Sequence, residues 1–122
     1  MDKLALIASR VLLAQLFIIS GFGKITGYAG TQGYMQAMGV PGALLPLVIL
    51  VELGGGLLLV AGLFTRWVAL ALAGFTLVSA LIFHTHFADQ IQMIMFMKNL
   101  SITGGLLLLA FPGALGAAKS AR

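Results

Sequence analysis

The chain has no cysteine, one tryptophan, three prolines and only three acidic residues in 122 positions. Without cysteine there is no disulfide, no thiolate ligand for zinc or an iron–sulfur cluster, and no covalent haem attachment, so any redox chemistry needs a borrowed cofactor. Charge of either sign is scarce: Asp, Glu, Lys and Arg make up 8% of the residues, against roughly 25% in ordinary soluble domains. With 61% hydrophobic residues and a mean hydropathy of +1.11, the composition is that of an integral membrane protein. The formal charge of +4 comes from seven scattered Lys and Arg. There is no basic run with interleaved aromatics, so the charge reads as membrane topology and not as nucleic-acid binding.

What the chain does have is four apolar runs, at residues 4–23, 44–64, 67–84 and 91–111, each near the ~20 residues a helix needs to cross a bilayer. The expected fold is all-α: one domain over residues 1–122, a four-helix membrane bundle with a short interfacial helix between spans 1 and 2. Lys3 before an apolar stretch resembles a signal peptide, but Arg10 interrupts the apolar segment and no small-x-small cleavage site follows, so the first span is kept. An even number of spans puts both termini on one side. That side would hold Lys3, Arg66, Lys119 and Arg122, against Lys24 on the other, and the positive-inside rule then predicts cytoplasmic termini in a bacterial inner membrane.

The connection at residues 24–42 is too apolar for a free loop and too broken by glycine for a span. Tyr28, Tyr34, Met35, Met38 and Val40 predict a short interfacial helix over residues 31–38. Two roles are open to it, a linker hugging the outer leaflet or a lid over the bundle. Pro41 and Pro46 punctuate the entry to span 2, where a first helical turn tolerates proline.

Glu52 is the only glutamate, and it stands in the middle of span 2. A carboxylate inside a span is costly unless paired, which makes it a functional candidate by default. With a rise of about 1.5 Å per residue, Glu52 lies about 18 Å from the cytoplasmic end of its span, Lys98 about 20 Å and Arg10 about 9 Å. Arg10 carries a planar fork suited to a carboxylate. The expectation is therefore a three-helix charge cluster of Arg10, Glu52 and Lys98, with Lys24, His84, His86 and Asp89 gathered at the outer rim. Gly55 and Gly56 share the helical face of Glu52, and Ser101 and Gly105 that of Lys98. Arg10, Ala14, Phe17, Gly21 and Lys24 form one stripe on span 1. Two cations against one carboxylate leave surplus positive charge, which suits an anion or a group that becomes negative.

Plainer readings stand beside these. A buried ion pair can fix helix register without chemistry, and Arg10 can snorkel to the interface. His84 and His86 point apart on a helix and have no further ligand nearby, so no metal site is expected. Met93, Met95 and Met97 read as packing. The Gly54 to Gly56 run lacks the sequel of a phosphate loop.

Arg10, the Ser20-Gly-Phe-Gly-Lys24 end of span 1, Tyr34 with Gly39-Val-Pro41, Glu52-Leu-Gly-Gly-Gly56, Gly62-Leu-Phe-Thr-Arg66, His84 and Lys98-Asn-Leu-Ser-Ile-Thr-Gly-Gly105 together resemble the DoxX family of small bacterial inner-membrane proteins. The resemblance covers most of the chain. It implies a four-helix membrane fold and, through family relatives that are subunits of a thiosulfate:quinone oxidoreductase, a link to quinone redox chemistry. On that reading Glu52, Lys98 and Arg10 are the catalytic candidates and Lys24, His84, Tyr34 and Asn99 the candidates for holding a quinone. The chain would be at most a subunit that needs a redox partner protein, with a homo-oligomer also open. An accessory scaffold without catalysis, or a small proton or anion transporter, are the other function classes the residues allow.

Overall fold

The computed structural model describes residues 2–111. Met1 and residues 112–122, with the Lys119 and Arg122 that entered the topology argument, lie outside the described residues. Four helices are long and apolar enough to cross a bilayer: span 1 (Asp2–Thr26), span 2 (Gly42–Ala61), span 3 (Thr65–Phe83) and span 4 (Gln90–Ala110). A fifth, Tyr28–Ala37, joins spans 1 and 2 and is called the lid helix below. The all-α four-helix membrane bundle with one short extra helix is thus what the chain forms.

Element ends differ from the sequence expectation where capping decides. Span 1 runs through Gly21 and Gly23 to Thr26 because one glycine costs a helix only about 1 kcal/mol. The lid begins at Tyr28, three residues earlier than expected, and ends at Ala37. Gly39 there takes φ 81°, its N–H meets Gln36 O, and Val40 N–H meets Met35 O. Span 2 stops at Ala61 by the same left-handed cap: Gly62 has φ 76°, with Gly62 N–H to Leu59 O and Leu63 N–H to Leu58 O. Asp89 accepts from Ile91 N–H at 3.0 Å and so caps the start of span 4.

Span 2 is not uniform. It opens as a 3₁₀ turn (Gly42–Leu44), becomes α-helical (Leu45–Ile49), widens to a π-helical turn (Leu50–Gly54) and returns to α-helix (Gly55–Ala61). The π turn coincides with Glu52 and the first of three successive glycines, whose weak helix propensity offers little resistance to such a widening.

Spans 1 and 2 pack together, as do spans 3 and 4, with spans 2 and 3 and spans 1 and 4 closing the bundle. Small residues set the distance between them. A Cβ at Gly21 would lie 3.0 Å from Leu53 N, one at Gly56 2.7 Å from Ile18 Cγ1, and one at Gly55 3.1 Å from a Leu72 methyl. Ala14, Leu59, Ala69, Leu72 and Leu106 are fully enclosed, and this apolar core fills the half of the bundle away from the lid. The outer surface is apolar as well, with Leu4, Ile19, Leu50 and Ile91 each about two-thirds exposed. A soluble monomer would not present such a surface; lipid is the solvent it fits.

Candidate functional site

Glu52 meets Lys24, not Arg10 or Lys98. Lys24 Nζ lies 2.7 Å from Glu52 Oε1, with the Lys24 side chain 26% exposed and that of Glu52 only 5%. The ammonium also donates to Ser20 Oγ at 2.6 Å, one turn back on span 1. Glu52 Oε1 is fully enclosed and has no hydrogen-bond donor in good alignment, so the contact is an ion pair and not a directed bond. The pairing follows from how helical side chains lean. Every Cα–Cβ bond tilts toward its helix N-terminus. Lys24, near the lid end of span 1, therefore leans inward, while Glu52 on the antiparallel span 2 leans toward the lid. Arg10 leans the other way, out of the bundle's centre, and lies against Gly62 at the opposite end. The expected cluster of Arg10, Glu52 and Lys98 does not form: the lean carries Arg10 away from Glu52, and Lys98, which leans the same way as Glu52, is exposed and rests on Met95 of its own helix.

The ion pair borders a cavity of about 350 Å³ that fills the lid half of the bundle. Lys24, Tyr34, Glu52, His84, Lys98 and Asn99 all line it, so six of the seven candidate residues converge and Arg10 alone is elsewhere. Its remaining wall is mainly apolar, with Phe17, Val48, Phe75, Val78, Ile82 and Phe83 among the residues. The lid helix covers it: Met35 is buried, Tyr34 stacks on Phe83 with ring centroids 5.4 Å apart, and Gln32 Nε2 donates to Gly42 O at 3.1 Å. Of the two roles open to the connection, this geometry is that of a lid. Val78 and Ile82, one turn apart on span 3, line the cavity and are also exposed, which marks where it reaches the bundle's flank.

The polar groups are held in different ways. Asn99 is buried and donates through Nδ2 to Thr76 O at 3.3 Å, across spans 3 and 4. His84 Nδ1 and Gln92 Oε1 are 3.0 Å apart. Among the described residues Lys98 meets no carboxylate; its ammonium contacts Met95 Sδ at 3.6 Å. His86 and Asp89, expected at the same rim, do not line the cavity. Among the described residues no three of His, Cys, Asp and Glu gather as a metal site would need.

Sequence reasoning missed Ser20, Thr76 and Gln92 as partners. Ser20 was findable, since it stands four residues before Lys24 and shares its face. Thr76 and Gln92 depend on how spans 3 and 4 meet and on the turn after span 3, which carry no local signal.

Comparison with known proteins agrees with this architecture. The chain is 57% identical over 113 residues to "Inner membrane protein YqjF" of Escherichia coli (strain K12), covering 93% of this chain and 87% of that one. It is 40% identical over 116 residues to "Inner membrane protein YphA" of the same organism, covering 88% and 82%. To "Putative oxidoreductase CatD" of Bacillus subtilis (strain 168) it is 34% identical over 73 residues, 60% of this chain and 54% of that one. No solved structure matches. The family model described as DoxX matches residues 5–85, and with the inner-membrane relatives covered over most of their length, the chain belongs to the DoxX family.

Proposed function

We propose that the chain is a quinone-linked membrane redox component, a subunit that works with a partner protein supplying or accepting electrons. The observation that carries this reading is a lidded cavity among four membrane-spanning helices, in which an apolar wall, a Lys24–Glu52 ion pair and Lys98, which pairs with no carboxylate among the described residues, meet. The name of the Bacillus relative, "Putative oxidoreductase CatD", points the same way.

The lining residues fit a quinone. Val48, Phe75 and Ile82 suit an apolar ring, and the opening beside Val78 and Ile82 suits a molecule arriving from lipid. Lys98 and Asn99 offer polar contacts to a ligand oxygen on one wall, and His84 and the Tyr34 hydroxyl on another. When bound, a quinone supplies two-electron, two-proton chemistry. Lys98, with no carboxylate beside it, favours an oxygen that gains negative charge. Glu52 is the group placed to exchange a proton, through the carboxylate oxygen that does not face Lys24, and Lys24, held by Ser20, stabilises the carboxylate once the proton has left.

The test is quantitation of quinone retained by the protein purified from bacterial membranes. Retention above that of an unrelated four-span protein purified in parallel is expected, and Lys98→Gln should lower it about tenfold by removing one charged hydrogen bond. No retained quinone, together with an unchanged membrane redox phenotype for Glu52→Gln, would overturn the proposal and favour an accessory scaffold.

A further inference from the structure

The end of the bundle away from the lid carries a second polar cluster that the cavity does not use. Arg10 and Arg66 line a shallow pocket of about 220 Å³ together with Leu6, Thr65, Leu109 and Ala110. The Arg10 guanidinium is wedged against the turn after span 2, so closely that a Cβ at Gly62 would come within 2.7 Å of Nη1. Its Nε is fully enclosed and has no hydrogen-bond partner. Arg66 engages one donor, Nε to Ala110 O at 3.0 Å, and its guanidinium carbon lies 5.8 Å from the centre of the Phe111 ring.

Among the described residues neither guanidinium has an acidic partner. The one ion pair among the described residues is Lys24–Glu52, and Asp2, the acid nearest this end, pairs with neither arginine. A guanidinium presents five N–H donors in a fixed fork. Two such forks facing one pocket need several acceptor oxygens and negative charge, which is what a phosphate group offers. Span 3 begins at the same pocket with Thr65 and has no side-chain cap, so its first N–H groups add to the positive field. Trp67, next to Arg66 and 69% exposed, is the residue type that settles at headgroup level.

We propose that Arg10 and Arg66 hold a phosphate group at this end of the bundle, either the headgroup of an anionic phospholipid or free inorganic phosphate. The inference does not depend on what fills the cavity. Full-length protein is compared in nanodiscs of phosphatidylcholine alone and of phosphatidylcholine with phosphatidylglycerol, and lipid and phosphate titrations follow in neutral detergent. Phosphatidylglycerol is expected to raise the unfolding temperature. Arg10→Gln and Arg66→Gln should each weaken its binding about tenfold, while Lys3→Gln, which removes a charge outside the pocket, should leave it within about twofold. Competition by inorganic phosphate identifies free phosphate as an occupant; protection by phosphatidylglycerol without such competition identifies the lipid headgroup. Should Arg10→Gln fail to fold, Arg10→Lys keeps the charge without the fork and is expected to weaken binding as well. The proposal is overturned if the unfolding temperature is the same in both nanodiscs and inorganic phosphate gives no protection. It is equally overturned if Lys3→Gln weakens binding as much as Arg10→Gln, which would mean diffuse attraction and no site.

Discussion

Glu52 is tolerable inside a span because a lysine reaches it, and the two partners differ in what they lose when separated. Removing Lys24 leaves a carboxylate whose side chain is 5% exposed with no cation, whereas removing the Glu52 charge leaves a lysine that is 26% exposed and can extend toward the nearby membrane surface. Lys24→Gln is therefore expected to destabilise the fold by about 1–3 kcal/mol, below the range for fully buried pairs because Lys24 is partly exposed. Glu52→Gln should cost less. In a thermal-unfolding double-mutant cycle, the combined variant should be more stable than Lys24→Gln alone; strict additivity would mean the two groups do not interact. The presence of a buried charge was legible from the single glutamate in an apolar run. Its partner was not: depth counting paired Glu52 with Arg10 and Lys98 and left Lys24 at the rim, whereas the opposed lean of antiparallel spans 1 and 2 brings Lys24 and Glu52 together.

At the scale of the helices, glycine decides how the spans meet. The stripe of Ala14, Phe17 and Gly21 on span 1 is buried, as its spacing predicts, and the Glu52-Leu-Gly-Gly-Gly56 segment faces both neighbours. Gly56 admits span 1 and Gly55 admits span 3. Gly21→Ala and Gly56→Ala each place a methyl against backbone and are expected to destabilise by about 1–3 kcal/mol. Gly23→Ala and Gly104→Ala meet nothing within 4 Å and should stabilise slightly through helix propensity, by about 0.5–1 kcal/mol. Folded fraction across a denaturing-detergent titration checks all four; an equal loss at Gly21 and Gly23 would contradict the close approach. Four spans could be placed from hydropathy to within three residues at every end. The π turn around Glu52 could not be, since a π-helical turn has the same apolar pattern as the α-helix it interrupts.

Along its axis the described bundle is divided, with an apolar core in one half and a lidded cavity bearing the charged candidates Lys24, Glu52 and Lys98 in the other. The lid rests on a few contacts, chiefly the Tyr34–Phe83 stack and the Gln32–Gly42 hydrogen bond. Tyr34→Ala should loosen it, and faster amide exchange across Tyr28–Ala37 with unchanged exchange in span 3 is the expected signature. The cysteine-free chain also makes orientation directly measurable. Gln36→Cys on the lid should react with a membrane-impermeant maleimide in intact cells, and Lys3→Cys only after permeabilisation, if the positive-inside reading holds. The reverse pattern would invert the topology. Composition and hydropathy by themselves determined the membrane class, the four spans and the need to pair Glu52, because transfer into lipid depends on residue type and run length. Only the tertiary structure decided that Lys24 is the partner, that Arg10 belongs to the other end and that the connection is a lid. Those outcomes depend on helix direction, side-chain lean and the close approach of glycine faces, and these exist only once the spans have packed.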